Sequence, residues 1–167
     1  AGIGIDAGRI RGLGSKIRGG EVQHTGVIPF LKKFEATVRS CTQNGVRGGS
    51  ATVHFPIWHQ EIEDILVLKN NKGTEDNRVR KLDYSIQISQ LFYQRFLNNE
   101  DITLFSPHSV PGLYEAFGTP EFDEMYEKYE RATSVPKTKV SARELFTDML
   151  KERAETGRIY IMNIDHC

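Results

Sequence analysis

The order of apolar and polar residues along the chain alternates between a pattern typical of strands and a pattern typical of helices. Short runs rich in apolar, β-branched and aromatic residues predict strands. Five such runs are GIGI, ATVHFPIW, LDYSIQI, DITLFS and RIYIMNID, at residues 2–5, 51–58, 82–88, 101–106 and 158–165. Pro56 has no backbone N–H for a central strand to donate, so we expect the second strand to end there.

Between these runs, apolar residues recur at every third or fourth position, which predicts amphipathic helices. The first helix is predicted at residues 21–39, with Pro29 near its start or at a kink. Its apolar face consists of Val27, Leu31, Phe34 and Val38. Two further helices are predicted at residues 59–71 and 89–97.

Capping residues predict where the last two helices begin. Thr119 followed by Pro120 is typical of an N-cap and first helical position, ahead of an apolar face formed by Phe122, Met125, Tyr126 and Tyr129. Ser141 and Glu144 have capping-box spacing, and the helix they begin is expected to bury Leu145, Phe146, Met149 and Leu150. Gly157 is expected to end that helix.

Strands that alternate with helices predict βαβ units with largely parallel pairing. The fold class is therefore α/β, as an open sheet or a barrel. A chain of 167 residues is long enough for one domain with its own core. The sequence begins and stops inside apolar strand-like runs, so we expect it to be a fragment of a longer polypeptide.

Composition favours an ordinary globular protein, with 38% hydrophobic and 26% charged residues. No apolar run approaches the roughly 20 residues of a membrane helix, and the N-terminus lacks a secretory pattern. A cytoplasmic protein without a membrane partner is expected, in the host cytoplasm if the source is viral. Cys41 and Cys167 form no CxxC pair, so they are interpreted as reduced thiols.

Positive charge and glycine are concentrated in the first 50 residues, which hold eight Lys or Arg against three Asp or Glu and eleven of fifteen glycines. This combination suits phosphate groups. Nucleic acid is disfavoured because the net charge is zero. No Walker or GxGxxG phosphate motif is found. The cations of residues 6–20 therefore bind phosphate or form a solvated basic loop, and both interpretations stay open at this point.

Residues 41–50, CTQNGVRGGS, form a second glycine-rich loop. It could cradle a phosphate, move around a ligand or simply turn the chain, and Arg47 is most simply a surface residue. A metal site at His54, His59 and Glu61 is disfavoured because their spacing assures no shared geometry. A nucleophile at the adjacent His166 and Cys167 is equally disfavoured.

Nine runs of the sequence, taken in order, resemble the large catalytic subunit of class I ribonucleotide reductases of the bacterial or bacteriophage type. They are AGIGIDAGRIRGLGS, IRGGE, HTGVIPFLK, CTQNGVRGG, LVLKNN, NRVRKLDYSIQI, EDITLFSP, VPGLYEAF and ERAETGRIYIMNIDHC. The resemblance implies that residues 1–167 are a single partial catalytic domain, the first half of a ten-stranded α/β barrel truncated at both ends. It also implies that the ATP cone and the finger loop with the radical cysteine lie outside these residues.

The activity implied by the resemblance is reduction of ribonucleoside diphosphates to 2′-deoxyribonucleoside diphosphates by thiyl-radical chemistry. The implied partners are a small subunit with a di-iron tyrosyl radical, thioredoxin or glutaredoxin as reductant, and a second large subunit contacted by the helix at 21–39. No cofactor or metal is expected on this fragment itself. Cys41 and Cys167 match neither the radical nor the redox cysteines, so the fragment alone is expected to be inert.

The resemblance also implies roles for individual residues. Ala1 and Gly2 match positions that hold the substrate diphosphate. Arg11 and Arg18 match arginines that contact the phosphates of the allosteric effector, a dNTP or ATP. The second glycine-rich loop matches the loop that links effector to substrate specificity, and its implied residues are Gln43, Gly45, Arg47 and Gly48, with Gly49 beside them.

Two other functions remain as alternatives. One is a non-catalytic nucleotide-binding module, and the other is a glycyl-radical enzyme on a related barrel.

Overall fold

The computed structural model describes residues 2–167, and Ala1 with its expected substrate contact lies outside them. The strands are β1 Gly2–Asp6, β2 Lys16–Ile17, β3 Val22–Gln23, β4 Thr42–Gln43, β5 Arg47–Gly48, β6 Ser50–Pro56, β7 Asp83–Ile88, β8 Asp101–Leu104, β9 Thr138–Ser141 and β10 Ile159–Asn163. The α-helices are α1 Ile28–Ser40, α2 Ile62–Leu66, α3 Gln90–Leu97, α4 Leu113–Ala116, α5 Phe122–Arg131 and α6 Ala142–Thr156. Short 3-10 turns lie at Arg18–Gly20, Glu75–Asn77, Pro107–Ser109 and Ile164–His166.

The main sheet has four parallel strands in the order β1-β6-β7-β10. The predicted strands at 2–5, 51–58, 82–88 and 158–165 supply these four, and Pro56 ends β6 as expected. Helices connect the successive strands, which confirms the α/β class. No helix among residues 2–167 is long and apolar enough to cross a membrane.

The two faces of this sheet differ in character because successive side chains of a strand point to opposite faces. One face carries Val53, Phe55 and Ile86, which belong to the core together with the apolar residues of α1, α2, α3 and α6. The opposite face carries small and polar residues, namely Gly2, Gly4, Asp6, Ser50, Thr52, His54, Ser85 and Gln87. Helices α1, α2, α3 and α6 therefore supply apolar residues to the core on the first face, whereas Tyr114 of α4 contacts Asp6 on the polar face.

The strand predicted at residues 101–106 forms outside the main sheet. Its residues in β8 pair antiparallel with β9, with Asp101 opposite Ser141 and Leu104 opposite Thr138. The expectation of parallel pairing is wrong at this strand. β9 was not predicted because its sequence TKVS has one apolar residue and no alternation to detect.

The first helix begins at Ile28, so the prediction of a start at residue 21 is wrong. Gly26 has φ 87°, a left-handed conformation that a right-handed helix excludes. Pro29 lies in the first turn, where its missing N–H removes no helical hydrogen bond. Leu31 and Val38 are buried as the predicted apolar face requires.

The capping predictions have mixed outcomes. Ser141 is the N-cap of α6, where its Oγ accepts a hydrogen bond from the Glu144 N–H at 3.4 Å, and Gly157 ends the helix at φ 67°. Thr119 is not an N-cap, because α5 starts at Phe122 and the Thr119 hydroxyl donates to the Ala116 carbonyl. Leu150 is 51% exposed, contrary to its predicted burial.

Candidate functional site

Two loops flank α1 and carry most of the predicted site residues. Loop 1, residues 7–27, follows the carboxyl end of β1, and loop 2, residues 41–49, precedes the amino end of β6. Because α1 returns the chain antiparallel to the strands, the loops lie at opposite ends of this helix. At about 1.5 Å per residue, α1 separates them by about 20 Å.

Loop 1 contains a two-stranded hairpin formed by β2 and β3, with Lys16 opposite Gln23. Arg18 lies at its tip, exposed, with φ 50°. The Arg11 guanidinium donates to the Lys16 carbonyl at 2.9 Å, which holds Arg11 against the stem of the same hairpin. Arg11 itself precedes the hairpin, and this hydrogen bond ties its guanidinium to the element that carries Arg18.

Arg9, a third cation of loop 1, is engaged elsewhere. Its guanidinium lies 5.2 Å from the centre of the Tyr114 ring and 3.6 Å from the Glu115 carboxylate. Tyr114 in turn donates a hydrogen bond to the Asp6 carboxylate at the end of β1. Burial, together with the hydrogen bond to Asp6, raises the pKa of Tyr114. No sequence motif indicates the contact between Asp6 and Tyr114, since 108 residues separate them.

Three consecutive residues, His59, Gln60 and Glu61, hold loop 1 against the sheet, and we call them the loop clamp. The Glu61 carboxylate accepts from the N–H groups of Leu13 and Val27, both at 3.1 Å. The Gln60 amide donates to the Leu13 carbonyl at 2.9 Å. His59 Nε2 donates to the Ile10 carbonyl at 2.9 Å. Each clamp residue thus contacts the backbone of loop 1.

The protonation of the clamp follows from its burial. His59 Nδ1 accepts from the Glu61 N–H at 3.0 Å, so Nε2 carries the ring proton of a neutral imidazole. Burial lowers the pKa of His59 to about 4. Burial also raises the pKa of Glu61, while the Val27 and Leu13 N–H groups act in the opposite direction. Within residues 2–167 no group of three or more His, Cys, Asp or Glu could hold a metal ion.

Loop 2 is a hairpin of β4 and β5, in which Gln43 lies directly opposite Arg47. Asn44 and Gly45 have φ of 51° and 69°, the left-handed values that a tight Asn-Gly hairpin turn requires. The Val46 N–H closes the turn on the Gln43 carbonyl at 3.0 Å. All residues from 41 to 48 are exposed.

The glycines of loop 2 have three different environments. Gly45 occupies the left-handed turn, whereas Gly48 has open space around it. At Gly49, a Cβ would lie 2.3 Å from the Val38 carbonyl oxygen at the end of α1. Gly49 therefore permits a close backbone approach that fixes the base of the hairpin.

A mainly apolar cleft of about 320 Å³ lies between β1, the end of α1 and loop 2. Its lining includes Ile3, Val38, Cys41, Gln43 and Ser50. A second cleft, of about 610 Å³, lies beside the loop 1 hairpin and is lined partly by Lys16 and His108. Both clefts adjoin loops that carry predicted site residues.

The polar face of the sheet brings Gly2 together with side chains that the sequence analysis did not select. A Cβ at Gly2 would lie 3.1 Å from Ser50 Oγ, a tight contact that glycine avoids. On the same face, His54 Nδ1 and Gln87 Oε1 are buried without a hydrogen-bond partner among the described residues. The alternation of residues in GIGI is a sequence signal that could have indicated the polar face. The unpaired atoms of His54 and Gln87 have no such signal, because they depend on how the folded chain packs.

Cys41 and Cys167 are both exposed free thiols. Cys41 lies at the end of α1, and Cys167 follows β10 at the opposite edge of the sheet from β1. The structure therefore does not bring the two thiols together.

Four parallel strands, connected by helices and with an apolar core on one face, define the class of this protein as α/β. Comparison with protein families identifies the family within that class. Residues 1–167 match the ribonucleotide reductase barrel domain.

Individual relatives match over the whole chain. It is 62% identical over 169 residues to ribonucleoside-diphosphate reductase 1 subunit alpha of Escherichia coli (strain K12), covering 100% of this chain and 22% of that protein. The chain is 52% identical to ribonucleoside-diphosphate reductase subunit alpha of Enterobacteria phage T4, and the match covers 99% of this chain and 22% of that protein. It is 37% identical to the ribonucleoside-diphosphate reductase large subunit of Arabidopsis thaliana, and the match covers 99% of this chain and 20% of that protein.

The chain belongs to the ribonucleotide reductase family and forms part of its α/β barrel domain. The family predicted from the sequence is confirmed. The chain spans about a fifth of the length of these curated relatives.

Proposed function

We propose that the complete protein is the large subunit of a ribonucleoside-diphosphate reductase, which makes 2′-deoxyribonucleoside diphosphates for DNA synthesis. The observation that carries this proposal is the 52% to 62% identity over essentially the whole chain to bacterial and phage proteins of that name. In this reaction the 2′-hydroxyl leaves as water while a pair of cysteine thiols is oxidised to a disulfide. We assign neither the radical nor the dithiol to Cys41 or Cys167.

Loop 1 is proposed to bind the phosphates of a dNTP or ATP effector through Arg11 and Arg18. Guanidinium groups match phosphate oxygens bidentately. Arg18 lies at the tip of the hairpin and Arg11 is hydrogen-bonded to its stem, which supports a shared anion. Because loops 1 and 2 lie at the two ends of α1, we propose that the effector lies along this helix. Its triphosphate would contact loop 1 and its base would lie toward loop 2.

Loop 2 is proposed to transmit the identity of the effector to the substrate base. Gln43 and Arg47, opposite each other on an exposed hairpin, are the side chains proposed to face the substrate. Gly45 and Gly48 leave the turn unhindered. Gly2, with Ala1 before it, is proposed to approach the substrate diphosphate, which the small residues on the polar face of the sheet support.

The proposed partners are those of a complete reductase. They are a second large subunit, a small subunit that generates a tyrosyl radical at a di-iron centre, and thioredoxin or glutaredoxin as reductant. We propose that the complex acts in the cytoplasm, or in the host cytoplasm if the source is viral.

Arg18→Ala in the complete protein tests the effector site. Loss of a charged hydrogen bond is expected to weaken dNTP binding by about 1.5 to 3 kcal/mol, measured by calorimetric titration. Arg143→Ala, which removes an exposed arginine from the distant helix α6, is the control and should bind as the parent does. Unchanged affinity in Arg18→Ala would remove the effector role from loop 1.

The reductase activity itself is tested with the complete protein and its small subunit. Conversion of CDP to dCDP that depends on thioredoxin and on the small subunit is the expected result. Lack of any such conversion with an active small subunit would contradict the proposed activity.

A further inference from the structure

Loop 1 leaves the sheet and returns to it at two points that the same carboxylate holds. Leu13 precedes the hairpin and Val27 follows it, and Glu61 accepts a hydrogen bond from the backbone N–H of each. Residues 14–26 are therefore closed into a loop by one side chain. Glu61 itself is only 7% exposed and lies directly before α2.

The sequence of loop 1 is adapted to this close contact. A Cβ at Gly26 would lie 2.5 Å from Glu61 Oε1, and a Cβ at Gly12 would lie 2.3 Å from Gln60 Oε1. A side chain at either position would displace the clamp residue that it meets, and at Gly26 the φ of 87° also disfavours residues other than glycine. The clamp and the glycines it meets are 35 and 48 residues apart in the sequence, and the fold brings them together.

An ionised carboxylate is the group best suited to this position because it only accepts hydrogen bonds. The two N–H groups that it pairs are expensive to leave unpaired once buried. Oε2 accepts from both N–H groups at 3.1 Å, and Oε1 lies 3.4 Å from the Val27 nitrogen. A glutamine therefore keeps both hydrogen bonds only with its oxygen in the Oε2 position, and its NH₂ group then faces the Val27 N–H. Charge and shape at residue 61 thus determine whether the hairpin stem stays attached to the sheet.

We propose that Glu61 is a positioning residue for effector binding, which acts by fixing the stem of loop 1 so that Arg11 and Arg18 are held in one arrangement. This inference rests on the proposed effector role of those arginines. Glu61 does not itself contact the effector. The loop clamp thereby makes loop 1 a preorganised phosphate site, which lowers the ordering entropy that the effector must supply.

The test uses the complete protein with the variants Glu61→Gln and Glu63→Gln. Glu63 is an exposed residue of α2, so its replacement removes the same charge without touching loop 1. Calorimetric titration with dTTP is expected to show affinity lowered on the order of tenfold in Glu61→Gln and changed by less than about twofold in Glu63→Gln. The kcat for the reduction at saturating dTTP should be retained in both.

Hydrogen exchange gives a readout independent of the nucleotide. Peptides covering residues 10–27 should exchange faster in Glu61→Gln than in the parent, and those covering loop 2 should not. If Glu61→Gln does not fold, Gln60→Ala removes one clamp contact from a half-buried position and is expected to weaken dTTP binding about threefold.

The outcomes separate the two proposals. Weaker dTTP binding with faster exchange in loop 1 supports the positioning role. If Glu61→Gln binds dTTP as tightly as the parent does, the positioning role is overturned; Gln60→Ala replaces it in this test if Glu61→Gln does not fold. The effector site remains supported in that case if Arg18→Ala still binds dTTP weakly. Parent-like affinity in Arg18→Ala as well overturns the effector site together with the role of Glu61. A fall in kcat at saturating dTTP would also overturn the positioning role of Glu61, since such a fall would indicate general damage to the enzyme.

Discussion

Loops 1 and 2 flank the same helix but are attached to the rest of the structure in opposite ways. Loop 1 is bound at Ile10, Gly12, Leu13 and Val27 by side chains that come from beyond the ends of β6 and β8. In loop 2, no side chain of residues 41–48 makes a hydrogen bond to another described residue, and the hairpin is held by its own ladder and by the packing of Gly49. A loop held by several side-chain hydrogen bonds at one end of α1, with a weakly attached hairpin at the other end, is an arrangement in which the hairpin changes shape more easily than the loop.

The largest expected effect concerns the fixed loop and its dependence on pH. His59 is buried neutral, with a pKa of about 4 against an ordinary value of 6.5. The stability it contributes is present above pH 6.5 and is lost as the pH falls toward 4, because the unfolded chain then binds a proton that the folded chain does not. Between pH 6.5 and pH 4, this difference in pKa is expected to lower the free energy of unfolding by about 3 kcal/mol.

This dependence is measured as the exchange protection of residues 7–27 between pH 7.5 and 4.5, corrected for intrinsic rates. His59→Gln should flatten the loss of protection at low pH, and replacement of the exposed His108 by Gln should not. Glu61, whose pKa is raised, acts in the opposite direction, so the difference between parent and variant is the relevant quantity. An equal pH profile in His59→Gln would show that this histidine does not secure loop 1.

The base of loop 2 gives the next effect in size. Gly49→Ala would place a methyl group 2.3 Å from the Val38 carbonyl oxygen, so the hairpin must shift away from α1. A loss of about 2 kcal/mol in the free energy of unfolding is expected, measured by urea denaturation. Gly48→Ala, where the added Cβ meets nothing within 4 Å, is the matched control and should be close to neutral. Equal losses in the two variants would argue against the close approach as the cause.

The smallest effect on stability is expected at the tip of loop 2. Arg47→Ala removes an exposed side chain, so the free energy of unfolding should change by less than about 0.5 kcal/mol. Because Arg47 is proposed to face the substrate, the ratio of CDP to GDP reduction under different dNTP effectors should nevertheless change. Identical ratios in parent and variant would restrict loop 2 to a structural turn.

Residue patterns reveal much of the fold, since local chemistry determines many of its elements. The four runs of apolar residues specify the parallel strands, Ser141 with Gly157 specifies the ends of α6, and Asn44-Gly45 is typical of the hairpin turn that forms. Patterns of this kind depend on neighbours in the sequence. They therefore predict elements better than they predict contacts between elements.

The parts that escaped prediction depend on contacts between distant residues. Gly26, with φ 87°, lies just before α1 and packs against the Glu61 carboxylate, 35 residues away. In the sequence, the spacing of His59 and Glu61 raises only the question of a metal site, because their loop contacts exist only once the fold brings Ile10 and Val27 beside them. Arg11 and Arg18 were found through family resemblance, since a basic loop by itself does not distinguish a binding site from a solvated surface.

Hydrogen exchange of the complete protein, with and without dTTP, tests most directly whether loop 1 is fixed and loop 2 adapts. Peptides covering residues 10–27 should be protected in both states. Peptides covering residues 41–48 should exchange rapidly without dTTP and become protected with it. Rapid exchange of loop 1 in the absence of nucleotide, or a loop 2 equally protected in both states, would contradict the account.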